Sequence, residues 1–341
     1  MLPVRRIAAA GAALTLSLGL VACSVDSENE AKDGEGEKIV ISHAFGETVI
    51  NGKPERVATI DYANQEVPLA LGIVPVGMSK MTWGDDDQNG IQPWVEDKLE
   101  ELDADEPVLF DESDGYDFEA IDGTQPDVIL AGYSGMTKED YETLSKIAPV
   151  VPFPEGGAPW ATSWRDSLLI NAKGLGMEKE GKKLIAQMED EIDAAVEANP
   201  EIEGKNAAFL THIDTTDLSE VNFYSAEDTR ARFLEDLGLE TAPSIVENTK
   251  KGQYSGSIST ENADQLSDID VIVTYGGPDL VEALKADPVL SQLPVVKSGA
   301  IVNLYEPTDP AVTAANPTVL SFPALLDSFA KSLADAVKKN S

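Results

Sequence analysis

The sequence predicts an α/β protein of two halves built around one long helix. Three observations carry this. Short β-branched runs alternate with helical stretches along most of the 341 residues, the pattern of a largely parallel sheet covered by helices. An apolar stripe of helical period occupies the middle of the chain, at Leu184, Ile185, Met188, Ile192, Ala195 and Val196. Finally, FEAIDGTQPDVILAGY (118–133) is echoed by TENADQLSDIDVIVTYG (260–276). Each has a Glu opening a short helix, then an Asp-led β-branched strand, then Gly and Tyr. Similar segments on either side of a long helix suggest two lobes of related construction.

The elements follow in order. IVIS (39–42), ETVI (47–50) and RVATI (56–60) read as strands, with a turn at Asn51-Gly52. Residues 66–71 form a short helix stopped by Gly72, and 74–78 the next strand. Pro93 suits the first position of a helix over 93–102. A buried-type strand at 127–131, a helix at 138–148 and a strand at 150–153 close the first half. A helix over 163–174 gives way at Gly174 and Gly176 to the long helix, about 178–199, which Asn199-Pro200 ends. At 1.5 Å per residue it spans about 33 Å, the width of a small domain. The second half has strands at 206–211, 221–225, 270–274 and 300–305, with helices at 229–237, 279–286 and about 322–338. The expected division is a lobe at 38–157, a connecting helical segment at 158–203 and a lobe at 204–341.

The start of the chain is of another kind. Arg5 and Arg6 precede an apolar, small-residue run over 7–22, the form of a secretory signal. It is too short and too rich in Ala and Gly for a membrane span of about 20 strongly apolar residues. The run ends in Leu20-Val21-Ala22-Cys23, which resembles the bacterial lipobox. That resemblance implies removal of residues 1–22 and lipid attachment at Cys23, with 23–37 a flexible tether too polar to fold. A plain secretory signal with an incidental cysteine is the alternative. Either reading places the mature protein outside the cytoplasm.

Composition excludes several classes. Cys23 is the one cysteine and His43 and His212 the two histidines, so an internal disulfide, a Cys-rich metal centre and a three-imidazole site are ruled out or improbable. The formal charge is −36; without residues 1–22, 23 basic residues face 61 acidic ones. Such a surface repels phosphate backbones and argues against nucleic acid. No G-x-S-x-G elbow, P-loop or G-x-G-x-x-G is present. Asp85, Asp87, Asn89, Gly90 and Glu96 fit the spacing of an EF-hand calcium loop, but the stretch before them cannot form the first helix, and Pro93 suits a helix start. His212, after a strand, is either a pocket residue or a polar strand end.

The arginines point further. Beyond residue 22 there are four, Arg56, Arg165, Arg230 and Arg232. Arg165 lies beside Trp160 and Trp164, while Arg230 and Arg232 begin a helix near the carboxyl ends of strands, where open α/β sheets bind ligands. Arginine with aromatics suits an anionic, aromatic guest. With the lipobox, ETVINGKPERVATIDYANQEVPLALGIVPVGM, the two α/β halves and the joining helix, residues 38–335 resemble a substrate-binding lipoprotein of the iron–siderophore ABC importers. This is the helical-backbone class that also takes haem and vitamin B12. The segment from Ile50 to Gly77 is the most specific part of the likeness.

The resemblance implies two Rossmann-like lobes joined by a single long backbone helix, with the ligand in the cleft between them. It implies a monomeric, non-enzymatic binder of an Fe(III)–siderophore, with no cofactor of its own because the iron stays inside the chelate. It also implies docking of one glutamate per lobe onto arginines of a membrane permease, at Glu119 and Glu261. Pocket residues are expected at Trp83, Trp164, Arg165, Arg230, Arg232 and Tyr275, with Tyr62, Tyr133 and Tyr305 as second choices. Three arginines in one pocket would favour an anionic catecholate or carboxylate chelate. Haem or a corrinoid is the alternative cargo; a secreted hydrolase or a calcium-binding module is the alternative class.

Overall fold

The computed structural model describes residues 38–306 and 309–340. The expected signal segment, Cys23 and the tether lie outside the described residues. Two sheets organise the rest. The first half comprises β1 (Lys38–His43), β2 (Gly46–Asn51), β3 (Val57–Thr59), α1 (Glu66–Ala70), β4 (Gly77–Ser79), α2 (Pro93–Glu101), β5 (Val108–Phe110), α3 (Phe118–Gly123), β6 (Val128–Leu130), α4 (Lys138–Leu144) and β7 (Val150–Val151). β1 and β2 form a separate antiparallel hairpin. The others make a parallel sheet in the order β5-β4-β3-β6-β7.

Two helices then lead to the second half, α5 (Trp164–Gly174) and α6 (Glu178–Ala198). After them come β8 (Asn206–His212), β9 (Glu220–Tyr224), α7 (Thr229–Asp236), β10 (Glu240–Thr241), α8 (Pro243–Asn248), β11 (Ser255–Ser259), a 3-10 turn at Thr260–Asp268, β12 (Val271–Tyr275), α9 (Leu280–Ala286), α10 (Pro294–Ser298), β13 (Ile301–Leu304) and α11 (Phe322–Lys339). The sheet order is β11-β9-β8-β12-β13, with β10 beside the start of β8. β9 is antiparallel to both β8 and β11. The second sheet is therefore mixed, because a short turn joins β8 to β9 where a helical crossover would be needed for parallel pairing.

Each sheet is buried on both faces, which explains its near-continuous apolar strands. In β8, Ala207 and Phe209 pack with α7 and α11, while Ala208 and Leu210 face α8 and α9. The first sheet alternates in the same way: Val128 and Leu130 face α5, Ile129 faces α3 and α4. The sequence echo corresponds to one position in both sheets. α3–β6 and the Thr260–Asp268 turn with β12 each link the edge strand, β5 or β11, to the strand beside the central one, β3 or β8.

α6 has 21 residues, about 31 Å at the usual helical rise. It is held by Met188, Ile192 and Ala195 against the second-lobe core. No described helix is long and apolar enough to cross a membrane.

Candidate ligand-binding site

The carboxyl edges of the two sheets enclose a cavity of about 340 Å³ lined by Tyr62, Trp83, Tyr133, Trp160, His212, Tyr224, Arg230, Tyr254, Tyr275 and Asn316. Its first-lobe wall is built by loops. Tyr62, Trp83 and Tyr133 follow β3, β4 and β6. The buried amide of Asn64 sets Tyr133: it donates to the Ile60 and Tyr133 carbonyls (2.7 and 2.8 Å) and accepts from Tyr133 N (3.0 Å) and from Asn171 Nδ2 on α5 (2.8 Å). Gln92 Nε2 donates to the Trp83 carbonyl at 3.0 Å, and the Trp83 ring crosses to the other lobe. It meets His212 and Tyr275 edge-on at centroid distances of 5.6 and 5.5 Å.

Trp160 has a left-handed backbone, φ 60°, uncommon for a bulky residue. Its indole lies on Gly135, where an added Cβ would stand 2.1 Å from Nε1, so the close approach requires glycine. The ring meets Tyr133 at 5.4 Å.

In the second lobe, Asp228 caps α7 and is fully buried. Its carboxylate accepts from Arg230 N (2.8 Å), Nε (2.8 Å) and Nη2 (2.9 Å). The guanidinium also lies over the Tyr224 ring, 3.7 Å from its centroid. Arg230 thus presents a fixed donor face whose charge Asp228 already balances. Burial holds the hydroxyls of Tyr62, Tyr133, Tyr224 and Tyr275 above the ordinary tyrosine range, so they remain O–H donors at physiological pH. Burial, then the nearby Arg230, lowers the pKa of His212 and favours neutral imidazole.

Of the expected pocket residues, Trp83, Arg230 and Tyr275 meet here, with Tyr62 and Tyr133 from the second choices. The other four are elsewhere. Trp164 is 7% exposed in the second-lobe core and its indole N–H donates to Asp236 at 2.9 Å. Arg165, the next residue on α5, is bound by Glu189 (2.7 Å) and Asp236 (2.8 Å), tying α5 to α6 and α7. Ser163 caps α5, and the helix turn that follows carries both side chains away from the cavity. Arg232 is two residues beyond Arg230, more than half a helical turn round. It faces a surface hollow with Glu155, Asp166, Glu227 and Lys251. Tyr305 is 45% exposed and does not line the cavity.

Trp160, Tyr224, Tyr254 and Asn316 complete the wall without having been expected there. Tyr224 ends the strand before the Arg230 helix, which could have drawn attention to it. Asn316 carries no motif.

The acidic loop is self-contained. Both carboxylate oxygens of Asp85 accept backbone N–H groups, from Gln88 and Gly90 (2.8 Å each), and Asn89 Nδ2 reaches Glu96 at 2.5 Å. β4, not a helix, precedes it. Glu119 and Glu261 are exposed at the starts of α3 and of the Thr260–Asp268 turn, after the edge strands β5 and β11. Both edge strands run parallel to their central strands, so the two glutamates stand at the cavity-side edges, one per lobe.

Two sheets with a shared aromatic cleft, joined through α5 and the long α6, define a two-lobed solute-binding protein. The family of periplasmic binding proteins matches residues 57–308, and the chain belongs to it; the family binds solutes and is not catalytic. The chain is 26% identical over 258 residues to the probable siderophore-binding lipoprotein YfiY of Bacillus subtilis (strain 168), covering 75% of this chain and 74% of that protein. It is 26% identical over 299 residues to the Fe(3+)-citrate-binding protein YfmC of the same organism, covering 84% and 87%. Among solved structures, Streptococcus pneumoniae TIGR4 PiaA in complex with ferrichrome is 45% identical with a TM-score of 0.83, covering 89% of this chain and 99% of that one. These similarities agree with the resemblance read from the sequence.

Proposed function

We propose that this protein captures a ferric siderophore outside the cytoplasmic membrane, anchored through lipid at Cys23, and delivers it to an ABC permease. The observation that carries the reading is the aromatic cavity between the lobes, with one rigidly held arginine. Its size lies at the lower end of the range for small-molecule sites, and its donors, the Arg230 guanidinium and the tyrosine hydroxyls, suit the oxygen shell of an iron chelate. The iron remains cargo inside that shell.

The cavity favours an uncharged trishydroxamate chelate. The expectation of an anionic guest rested on three arginines, of which Arg230 alone lines the cavity, already paired with Asp228. Three monoanionic hydroxamates balance Fe(III), whereas a tris-catecholate chelate keeps a net negative charge. That charge would enter a protein of formal charge −36 with little local compensation. The ferrichrome complex of the 45% identical PiaA supports the same choice. A carboxylate chelate is the second reading, favoured by the similarity to YfmC.

Tryptophan fluorescence quenching against ferrichrome, a tris-catecholate ferric chelate, ferric citrate and haem tests this. Ferrichrome should bind at least about tenfold more tightly than the anionic chelates, a difference of about 1.4 kcal/mol. Equal or tighter binding of either anion would overturn the hydroxamate assignment. Failure of all ferric chelates would overturn the transport reading.

A further inference from the structure

Glu66, at the start of α1 in the first lobe, is 0% exposed and forms no salt bridge among the described residues. Its Oε1 accepts from Trp94 Nε1 on α2 at 2.7 Å. Its Oε2 accepts from Leu320 N at 2.8 Å, 254 residues away. Beside it, Ser321 N donates to the Thr318 hydroxyl and Thr318 N donates to the Ser321 hydroxyl, at 3.4 and 3.1 Å. These residues form the turn that leads into α11, and the Thr318 and Ser321 carbonyls accept from Phe322 N, Ala324 N and Leu325 N at its start. A first-lobe carboxylate is therefore bonded to the turn that leads into a second-lobe helix.

The surrounding packing crosses the lobes too. Val67 of α1 packs into the core shared with Phe322 and Leu326, while Leu320 and Leu325 pack against Leu69, Met78 and Trp94. Four residues before Leu320, Asn316 reaches the cavity. Its backbone N–H is bound to Thr313 O, and its side-chain amide makes no hydrogen bond among the described residues. It is free to meet a ligand, held on one side by Ala314 and Ala315 in the core and on the other by the turn bonded to Glu66.

We propose that Glu66 is a positioning residue for capture. By binding the turn before α11 from the opposite lobe it fixes residues 318–321 and so helps to set the Asn316 amide at the ligand. This rests on the reading of the cavity as a ligand site, and its test has an arm that needs no ligand.

Glu66→Gln retains the shape but offers one acceptor, so its amide NH2 must face either the Trp94 or the Leu320 donor. Amide hydrogen exchange at Leu320 in the ligand-free protein should quicken by about tenfold or more, the loss of one buried charge-assisted bond. Adding Trp94→Phe removes one opposing donor, lets the amide turn, and should restore slow exchange. In ferrichrome titrations Glu66→Gln and Asn316→Ala should each weaken binding about tenfold. The double variant should be no weaker than the worse single one, because a displaced Asn316 has nothing left to lose.

Unchanged exchange in Glu66→Gln, or losses that multiply in the double variant, would overturn the proposal. Should Glu66→Gln not fold, Glu66→Gln/Trp94→Phe with and without Asn316→Ala gives the same comparison. Absence of ferrichrome binding by the unaltered protein would refute the ligand reading, and the exchange arm would still decide the role of Glu66.

Discussion

Arg230 and Arg165 look alike in sequence, each beside aromatics, yet they differ in what they hold. Arg230 lies over Tyr224 and against Asp228, with its outer face on the cavity. Arg165 lies 4.2 Å from the Trp164 centroid and spends its donors on Glu189 and Asp236. Arg230→Lys should keep Asp228 paired but lose the planar fork, weakening ferrichrome by about 1.5–3 kcal/mol if that fork donates to the chelate. Arg165→Ala should leave ferrichrome affinity unchanged and lower thermal stability slightly, since its pairs are partly exposed. Titration and a melting curve on both variants check this; weakened binding in Arg165→Ala would contradict the geometry. No periodicity rule separates the two arginines. Whether a helix turns a side chain to a cleft or to its neighbour depends on where the helix is docked.

At the scale of elements, the loops after β3 and β5 bury acids beside the cavity wall. Asp61, with φ 61°, accepts from Tyr116 OH at 2.6 Å, and its own N–H donates to Glu112 at 3.0 Å. Burial pushes the Asp61 carboxyl up to about 8 and raises Glu112 as well. A raised acid favours the protonated fold. The stabilisation is complete below the unfolded value, about 4, and is lost as pH rises through about 8.

Melting temperature should therefore fall between pH 6 and pH 9. Asp61→Asn, which still accepts from Tyr116 and tolerates the left-handed backbone, should flatten that fall and melt roughly 2–4 °C above the parent at pH 9. A parallel decline in the two proteins would show that Asp61 is not the group responsible.

Helices and strands of clear period were legible at this scale. The long helix expected at about 178–199 is Glu178–Ala198, and the final one, expected at about 322–338, is Phe322–Lys339. The strand expected at 74–78 is Gly77–Ser79, since the chain through Val74-Pro75 approaches the sheet before it pairs. β11 and α8 carry no strong period and were not expected. β11 is a Ser- and Gly-rich edge strand, SGSIS, whose one buried apolar residue is Ile258.

For the whole molecule, the two-lobe plan assigns one exposed glutamate to each rim of the cleft. Glu119 and Glu261 follow the corresponding edge strands, and we propose that they meet arginines of the permease. Replacing both by Ala should leave ferrichrome affinity unchanged while slowing uptake in cells and weakening association with the reconstituted permease. The association rate of the unaltered protein should decline with ionic strength, as steered encounters do. Normal uptake by the double variant would remove these residues from the docking surface.

The sequence by itself determined the α/β class, the two related halves, the joining helix and the family resemblance. Those properties reside in local period and in residues near one another along the chain, which one-dimensional reading can detect. Only the tertiary structure decided which aromatics and which arginine share the cleft, that Asp228 neutralises that arginine, and that Glu66 reaches Leu320 across 254 residues. Such outcomes depend on how separately folded elements dock, and docking is set by packing between faces that lie far apart in the chain.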